Sequence, residues 1–88
     1  MMDKISLQVL TSPNCAHCHA FLSYWQAEGK QWPGVVMTEI SIMTPEGQTA
    51  AMQYHIFASP GIIINNELFA SGGFDKKELE AKLSALSN

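Results

Sequence analysis

Arginine is missing from this sequence, and five lysines stand against eight acidic residues. The resulting net charge of −3 offers a phosphate backbone little to hold, so nucleic-acid binding is not expected. No apolar run approaches the ~18 residues of a membrane-spanning helix, so no membrane association is expected either. The start, Met1-Met2-Asp3-Lys4-Ile5-Ser6, has no basic end followed by an apolar stretch. That argues against a secretory leader and makes a reducing cytoplasm the default location. Internal repeats, low-complexity segments and linkers are also missing. Cysteine is scarce, with two in 88 residues. A small secreted scaffold held by disulfides would need more.

What is present suits one compact domain over residues 1–88, read as a monomer. Hydrophobic residues make up 47% of the chain and charged ones 15%, a globular composition. Residues 5–10 (ISLQVL) alternate apolar and polar and read as a strand. Thr11, Ser12, Pro13 and Asn14 form a turn cluster. The run CAHCHAFLSYWQAEG follows from Cys15, with Cys18, Phe21, Leu22 and Trp25 at helical spacing. Gly29 and then Pro33-Gly34 end that helix.

Residues 35–42 (VVMTEISI) read as a second strand, rich in β-branched side chains. Thr44 can cap a second helix with Pro45 at its first position; that helix is expected to carry Ala51, Met52, Tyr54, His55 and Ile56. Ser59-Pro60-Gly61 breaks the pattern, and Ile62-Ile63-Ile64 is a short buried strand. Asn65-Asn66 suits a tight hairpin turn because asparagine tolerates positive φ. Residues 67–71 return, and Gly72-Gly73 ends them. Asp75 caps the last helix with Glu78 reaching back, and Phe74 and Leu79 can pack across the cap. Leu79, Leu83 and Leu86 make one apolar stripe. The order is β-α-β-α-β-β-α, an α/β architecture with a four-stranded mixed sheet and three helices. Its first two strands are parallel through a helical crossover, and its last two form an antiparallel hairpin.

The two cysteines are three apart, and so small a loop constrains the unfolded chain little. Chemistry explains the pair better than scaffolding does. Cys15-Ala16-His17-Cys18 lies between a strand and a helix. A thiol at a helix N-terminus faces unpaired N–H groups and the positive end of the dipole, and both stabilise a thiolate. Cys15 is therefore the expected nucleophile of disulfide exchange. Cys18, one turn further in and more buried, is the expected resolving thiol. His17, if exposed and protonated, would favour the Cys15 thiolate further. The Ser59-Pro60 step, entering a buried strand opposite the cysteines, suggests a cis peptide bond.

Four features in order resemble the thioredoxin superfamily: the βαβαββα pattern, Cys15-Ala16-His17-Cys18 after the first strand, Ser59-Pro60 before the third, and Gly72-Gly73 before the last helix. The short length is similar to its glutaredoxin-like branch. The resemblance implies a thioredoxin fold and a thiol–disulfide oxidoreductase with a redox-active Cys15–Cys18 disulfide. Pro60 matches the family's cis-proline, and Ser59 the residue whose backbone pairs with a substrate strand. Gly72, Gly73 and Asp75 match the segment that holds a glutathione carboxylate in glutaredoxins, at a helix N-terminus suited to it. The implied partners are a disulfide-containing protein or a glutathione mixed disulfide. The electron donor is then glutathione or a flavin-linked reductase. No resident cofactor or metal is expected, with glutathione at most a co-substrate. The chain departs from the family in placing Ala-His between the cysteines and in carrying apolar Val9 where thioredoxins keep a buried aspartate. Glu39 is then the nearest candidate acid to Cys18.

Two other readings stand beside this one. Cys15, His17, Cys18, His19 and His55 have the chemistry of zinc ligands, but neighbouring helix residues point apart and would need the turn unwound. An iron–sulfur cluster shared between two copies, with glutathione as extra ligand, is the second form of a metal role. The fold could also serve purely as an interaction module.

Overall fold

A computed structural model describes residues 4–87. Met1, Met2 and Asp3, part of the start read for a leader, lie outside the described residues, as does Asn88. The chain forms β1 (Ile5–Thr11), α1 (Ala16–Glu28), a 3₁₀ turn (Gly29–Gln31), β2 (Val35–Ser41), α2 (Pro45–Tyr54), β3 (Gly61–Ile64), β4 (Glu67–Ser71) and α3 (Lys76–Ser87). The strands lie in the order β2-β1-β3-β4. β1 runs parallel to β2, from Ile5 beside Val35 to Thr11 beside Ser41. It runs antiparallel to β3, from Leu7 beside Ile64 to Leu10 beside Gly61. This is the mixed four-stranded sheet with three helices that the sequence predicts.

Alternation along β1 sends Ile5, Leu7 and Val9 to one face, where Ile62 and Ile64 join them under Phe21 of α1 and Leu79 and Leu83 of α3. Leu10 and Ile63 point the other way and pack with Ala51 of α2 and with Ile56. β3 is buried along its whole length because the sheet is covered on both sides there, so it reads as an unbroken apolar run and not as an alternation. The Asn65-Asn66 turn has positive φ at both residues, 51° and 65°, which suits the twist of a two-residue hairpin. It is tied to the start of β1: Asn65 Oδ1 accepts from the Ser6 N–H at 2.9 Å, and the Asn65 N–H donates to the Ser6 carbonyl at 2.8 Å.

The helix caps follow the sequence closely. Thr44 Oγ1 accepts from the Gly47 N–H at 3.0 Å, and Pro45 opens α2. Asp75 Oδ1 accepts from the Glu78 N–H at 3.1 Å just before α3, one half of the expected capping box; the return bond to the Glu78 side chain does not form among the described residues. Several boundaries differ. β1 takes in Thr11, which the turn cluster had claimed, and β2 stops before Ile42. α2 ends at Tyr54, so His55 and Ile56 are outside it. His55 is left-handed (φ 55°), its N–H bonds the Met52 carbonyl, and the Ile56 N–H reaches back to Ala51 at 2.8 Å. That pattern closes the helix with a Schellman motif and turns Ile56 inward. β4 carries a bulge: Ile62 faces Ala70 and Ile63 faces Leu68, leaving Phe69 as the extra residue. The α3 stripe stops at Leu83, since Leu86 is exposed.

Candidate active site

The site forms where β1 ends and α1 begins. Asn14 takes positive φ (57°) and turns the chain so that Cys15 becomes the cap of α1. The Cys15 Sγ accepts from the Cys18 N–H at 3.1 Å, in the position where a serine or aspartate oxygen usually satisfies the first free donors of a helix. The Cys15 carbonyl accepts from the His19 N–H at 3.1 Å and begins the helical ladder. Cys15 and Cys18 are joined as a disulfide with their Cα atoms 5.2 Å apart. Their environments differ sharply. Cys18 is only 3% exposed, whereas Cys15 is half-buried. No acidic residue occupies the first turn of α1, so no carboxylate there opposes negative charge on Cys15.

The loop before β3 brings Ser59 and Pro60 against this sulfur. The Ser59–Pro60 peptide is cis. The Ser59 hydroxyl donates to Cys15 Sγ at 3.4 Å and also bonds the Ser12 hydroxyl at 2.5 Å. The sequence marked Ser59 only for its backbone and Ser12 only as a turn residue. The contact between their side chains joins positions 47 apart, and no local pattern announces it.

The remaining sequence-predicted residues are placed as follows. Gly72 adjoins the proline: its N–H donates to the Pro60 carbonyl at 3.0 Å, and a β-carbon there would come within 3.3 Å of Ala58 Cβ at φ 84°. Gly73 follows in open surroundings. The Asp75 carboxylate is engaged with the first turn of its own helix. His17 and His19 are exposed on α1, and His55 closes α2 on a different element. Among the described residues, no three His, Cys, Asp or Glu side chains gather as a metal ion would require. Glu39 is occupied by Thr11, whose hydroxyl donates to its carboxylate at 3.1 Å.

A family model described as a thioredoxin domain matches residues 5–84. A thioredoxin of Methanocaldococcus jannaschii is 34% identical over 79 residues, spanning 89% of this chain and 91% of that protein. Among solved structures, thioredoxin F from spinach chloroplast (short form) gives a TM-score of 0.78 at 18% identity, covering 98% of this chain and 79% of that one. Thioredoxin O1 from Arabidopsis thaliana in the oxidized state gives 0.76 at 18% identity, covering 98% and 80%. At such identity these two structures speak for the fold alone. The family match, by contrast, runs from the first strand into the last helix and takes in both cysteines, so the chain belongs to the thioredoxin superfamily.

Proposed function

We propose that this chain is a thiol–disulfide oxidoreductase acting on protein disulfides. The observation that carries the reading is the Cys15 sulfur at the cap of α1, accepting from the Cys18 N–H and half-open to solvent. In the reduced protein the same donors face a thiolate, and a hydrogen bond to an ionised sulfur is stronger than one to a neutral sulfur. The Cys15 thiolate attacks one sulfur of the substrate disulfide. A Cys15–substrate bond forms, the substrate's S–S bond breaks, and its second sulfur leaves as a thiolate. Cys18, deprotonated in turn, attacks Cys15 Sγ and releases the first substrate sulfur. The substrate gains two electrons and the Cys15–Cys18 disulfide is restored. A thiol reductant, glutathione or a flavin-linked reductase, returns the dithiol.

Protein disulfides are the proposed substrate class over glutathione mixed disulfides because the Gly72 N–H, one of the donors matched to a glutathione carboxylate, is already held by the Pro60 carbonyl. The proposed cycle requires no resident cofactor.

The test is insulin reduction driven by dithiothreitol. Cys15→Ser should reduce the rate to that of dithiothreitol alone. Cys18→Ser should retain attack but accumulate a mixed disulfide visible by non-reducing electrophoresis. Equal rates for wild type and Cys15→Ser would sink the proposal.

A further inference from the structure

Two serine hydroxyls line up behind the Cys15 sulfur, Ser59 against Sγ and Ser12 against Ser59. A hydroxyl carries one proton. When Ser59 gives its proton to Cys15 Sγ, as a thiolate there demands, it can only accept from Ser12. Ser12 is then the donor. The order is Ser12 O–H to Ser59 Oγ, then Ser59 O–H to Cys15 Sγ. A hydroxyl that accepts one hydrogen bond becomes a better donor in the next.

We infer that Ser59 is a catalytic residue that stabilises the Cys15 thiolate through its hydroxyl, and that Ser12 is a positioning residue acting through Ser59. The inference deepens the oxidoreductase reading and rests on it. A disulfide sulfur is a weak acceptor and a thiolate a strong one. The pair therefore favours the reduced, ionised state over the oxidised state, which makes the disulfide easier to reduce. The Cys18 N–H is the second donor to the same sulfur, so the thiolate is held from the helix side and from the proline-loop side. On the surrounding elements, α1 carries His17 and His19 in its first turn and Tyr24 and Glu28 further along, β2 carries Glu39, and β1 and β3 carry no titratable side chain. The histidines are exposed and Glu39 is bonded to Thr11, which leaves the Ser59 hydroxyl, itself bonded to Ser12, as the polar side chain in contact with the Cys15 sulfur.

The experiment measures the pH profile of Cys15 alkylation by iodoacetamide in the reduced protein, together with its equilibrium against a reference dithiol. Both are done for wild type, Ser59→Ala, Ser59→Thr, Ser12→Ala and the double alanine variant. In Ser59→Ala the alkylation midpoint should move to higher pH. Above that midpoint the exchange equilibrium should shift about tenfold toward the disulfide, equivalent to about 30 mV for a two-electron couple. Ser59→Thr, which keeps the hydroxyl, should restore both. Ser12→Ala should shift both in the same direction by less, and the double variant should match Ser59→Ala, since Ser12 acts only through its neighbour. A Ser59→Ala profile superimposable on wild type would overturn the inference, and full additivity in the double variant would overturn the relay. Should Ser59→Ala fail to fold, Ser12→Ala decides alone, and an unmoved midpoint there counts against the chain. Failure of the oxidoreductase reading shows elsewhere, as insulin reduction that Cys15→Ser leaves intact.

Discussion

On one face of the sheet, α1 and α3 lay Phe21, Leu79 and Leu83 over Ile5, Leu7, Val9, Ile62 and Ile64, and Tyr24, Trp25 and Phe74 extend that cluster outward. On the other face, α2 contributes a single buried apolar side chain, Ala51, which meets Leu10, Ile63 and Ile56. The first face is filled by volume. Phe21 and Phe74 meet edge-on with ring centroids 4.9 Å apart, a favoured aromatic geometry. The second is filled by close approach. Gly47, in the first turn of α2, lies so near the end of β2 that a β-carbon would strike the Ser41 carbonyl oxygen and stand 2.8 Å from Ile42 Cα. A β-carbon on Gly61 would fall 2.7 Å from the Ile56 side chain. The two faces should therefore fail in opposite ways, one when atoms are removed and the other when atoms are added.

The largest effect is expected on the aromatic face. Phe21 is fully buried, so Phe21→Ala loses the transfer energy of a ring and leaves a cavity, at a cost of about 3–5 kcal/mol. For a domain of this size that is a large share of total stability, and the urea midpoint should fall accordingly. A loss below about 1 kcal/mol would mean that α1 and α3 can collapse onto the space and that the face is not filled by volume at all.

Next comes Gly47→Ala. In an open helix this change would stabilise by about 0.5–1 kcal/mol, because alanine loses less backbone freedom on folding. Here the obstacles are the backbone atoms of Ser41 and Ile42, which cannot rotate away. Overpacking of this kind costs about 1–3 kcal/mol, so the net effect should be destabilising. Chemical denaturation fixes the sign, and a stabilised variant would erase the distinction between the faces.

These two sites also show what a sequence can and cannot disclose. Phe21 was legible because helical spacing put it on the same stripe as Cys18 and Trp25. The ends of α2 and α3 were legible at Thr44, Pro45 and Asp75, where capping is local. The left-handed His55 was not, because the usual marker of that conformation is glycine or asparagine. Gly47 gave no sign of its role, since the contact that demands glycine arises only when α2 folds back against Ser41 and Ile42 at the end of β2. The site divides in the same way. Cys15, Cys18 and the Ser59-Pro60 step stood out because spacing and neighbouring elements define them. The Ser12–Ser59 contact depends on two loops meeting in space. The bulge at Phe69 belongs to the same class, set by pairing with β3 and not by any turn residue.

The smallest expected effect lies at the outer margin of the aromatic face. The Tyr24 hydroxyl donates to Glu80 Oε2 at 3.1 Å, and the Lys76 ammonium sits 5.6 Å from its ring centroid. Burial pushes the Tyr24 pKa up from 10.0 to about 12, with the Glu80 hydrogen bond and charge adding to it. Lys76 would favour the phenolate and so works against this shift, but burial and Glu80 prevail. The sign of the linkage follows. Between pH 10 and about 12 the unfolded chain has lost the phenol proton while the native state keeps it, so the native state binds more protons and stability falls as pH rises. Tyr24→Phe should cost at most about 1 kcal/mol at neutral pH through loss of one partly exposed hydrogen bond. Its stability should decline less steeply than that of wild type above pH 10, so the gap between the two should narrow toward pH 12. Urea midpoints of both proteins across that range provide the check. Parallel curves would show that Tyr24 holds its proton no more tightly in the folded protein than in the unfolded chain. The aromatic face would then end at Phe74, with Tyr24 and Glu80 outside it as solvated surface.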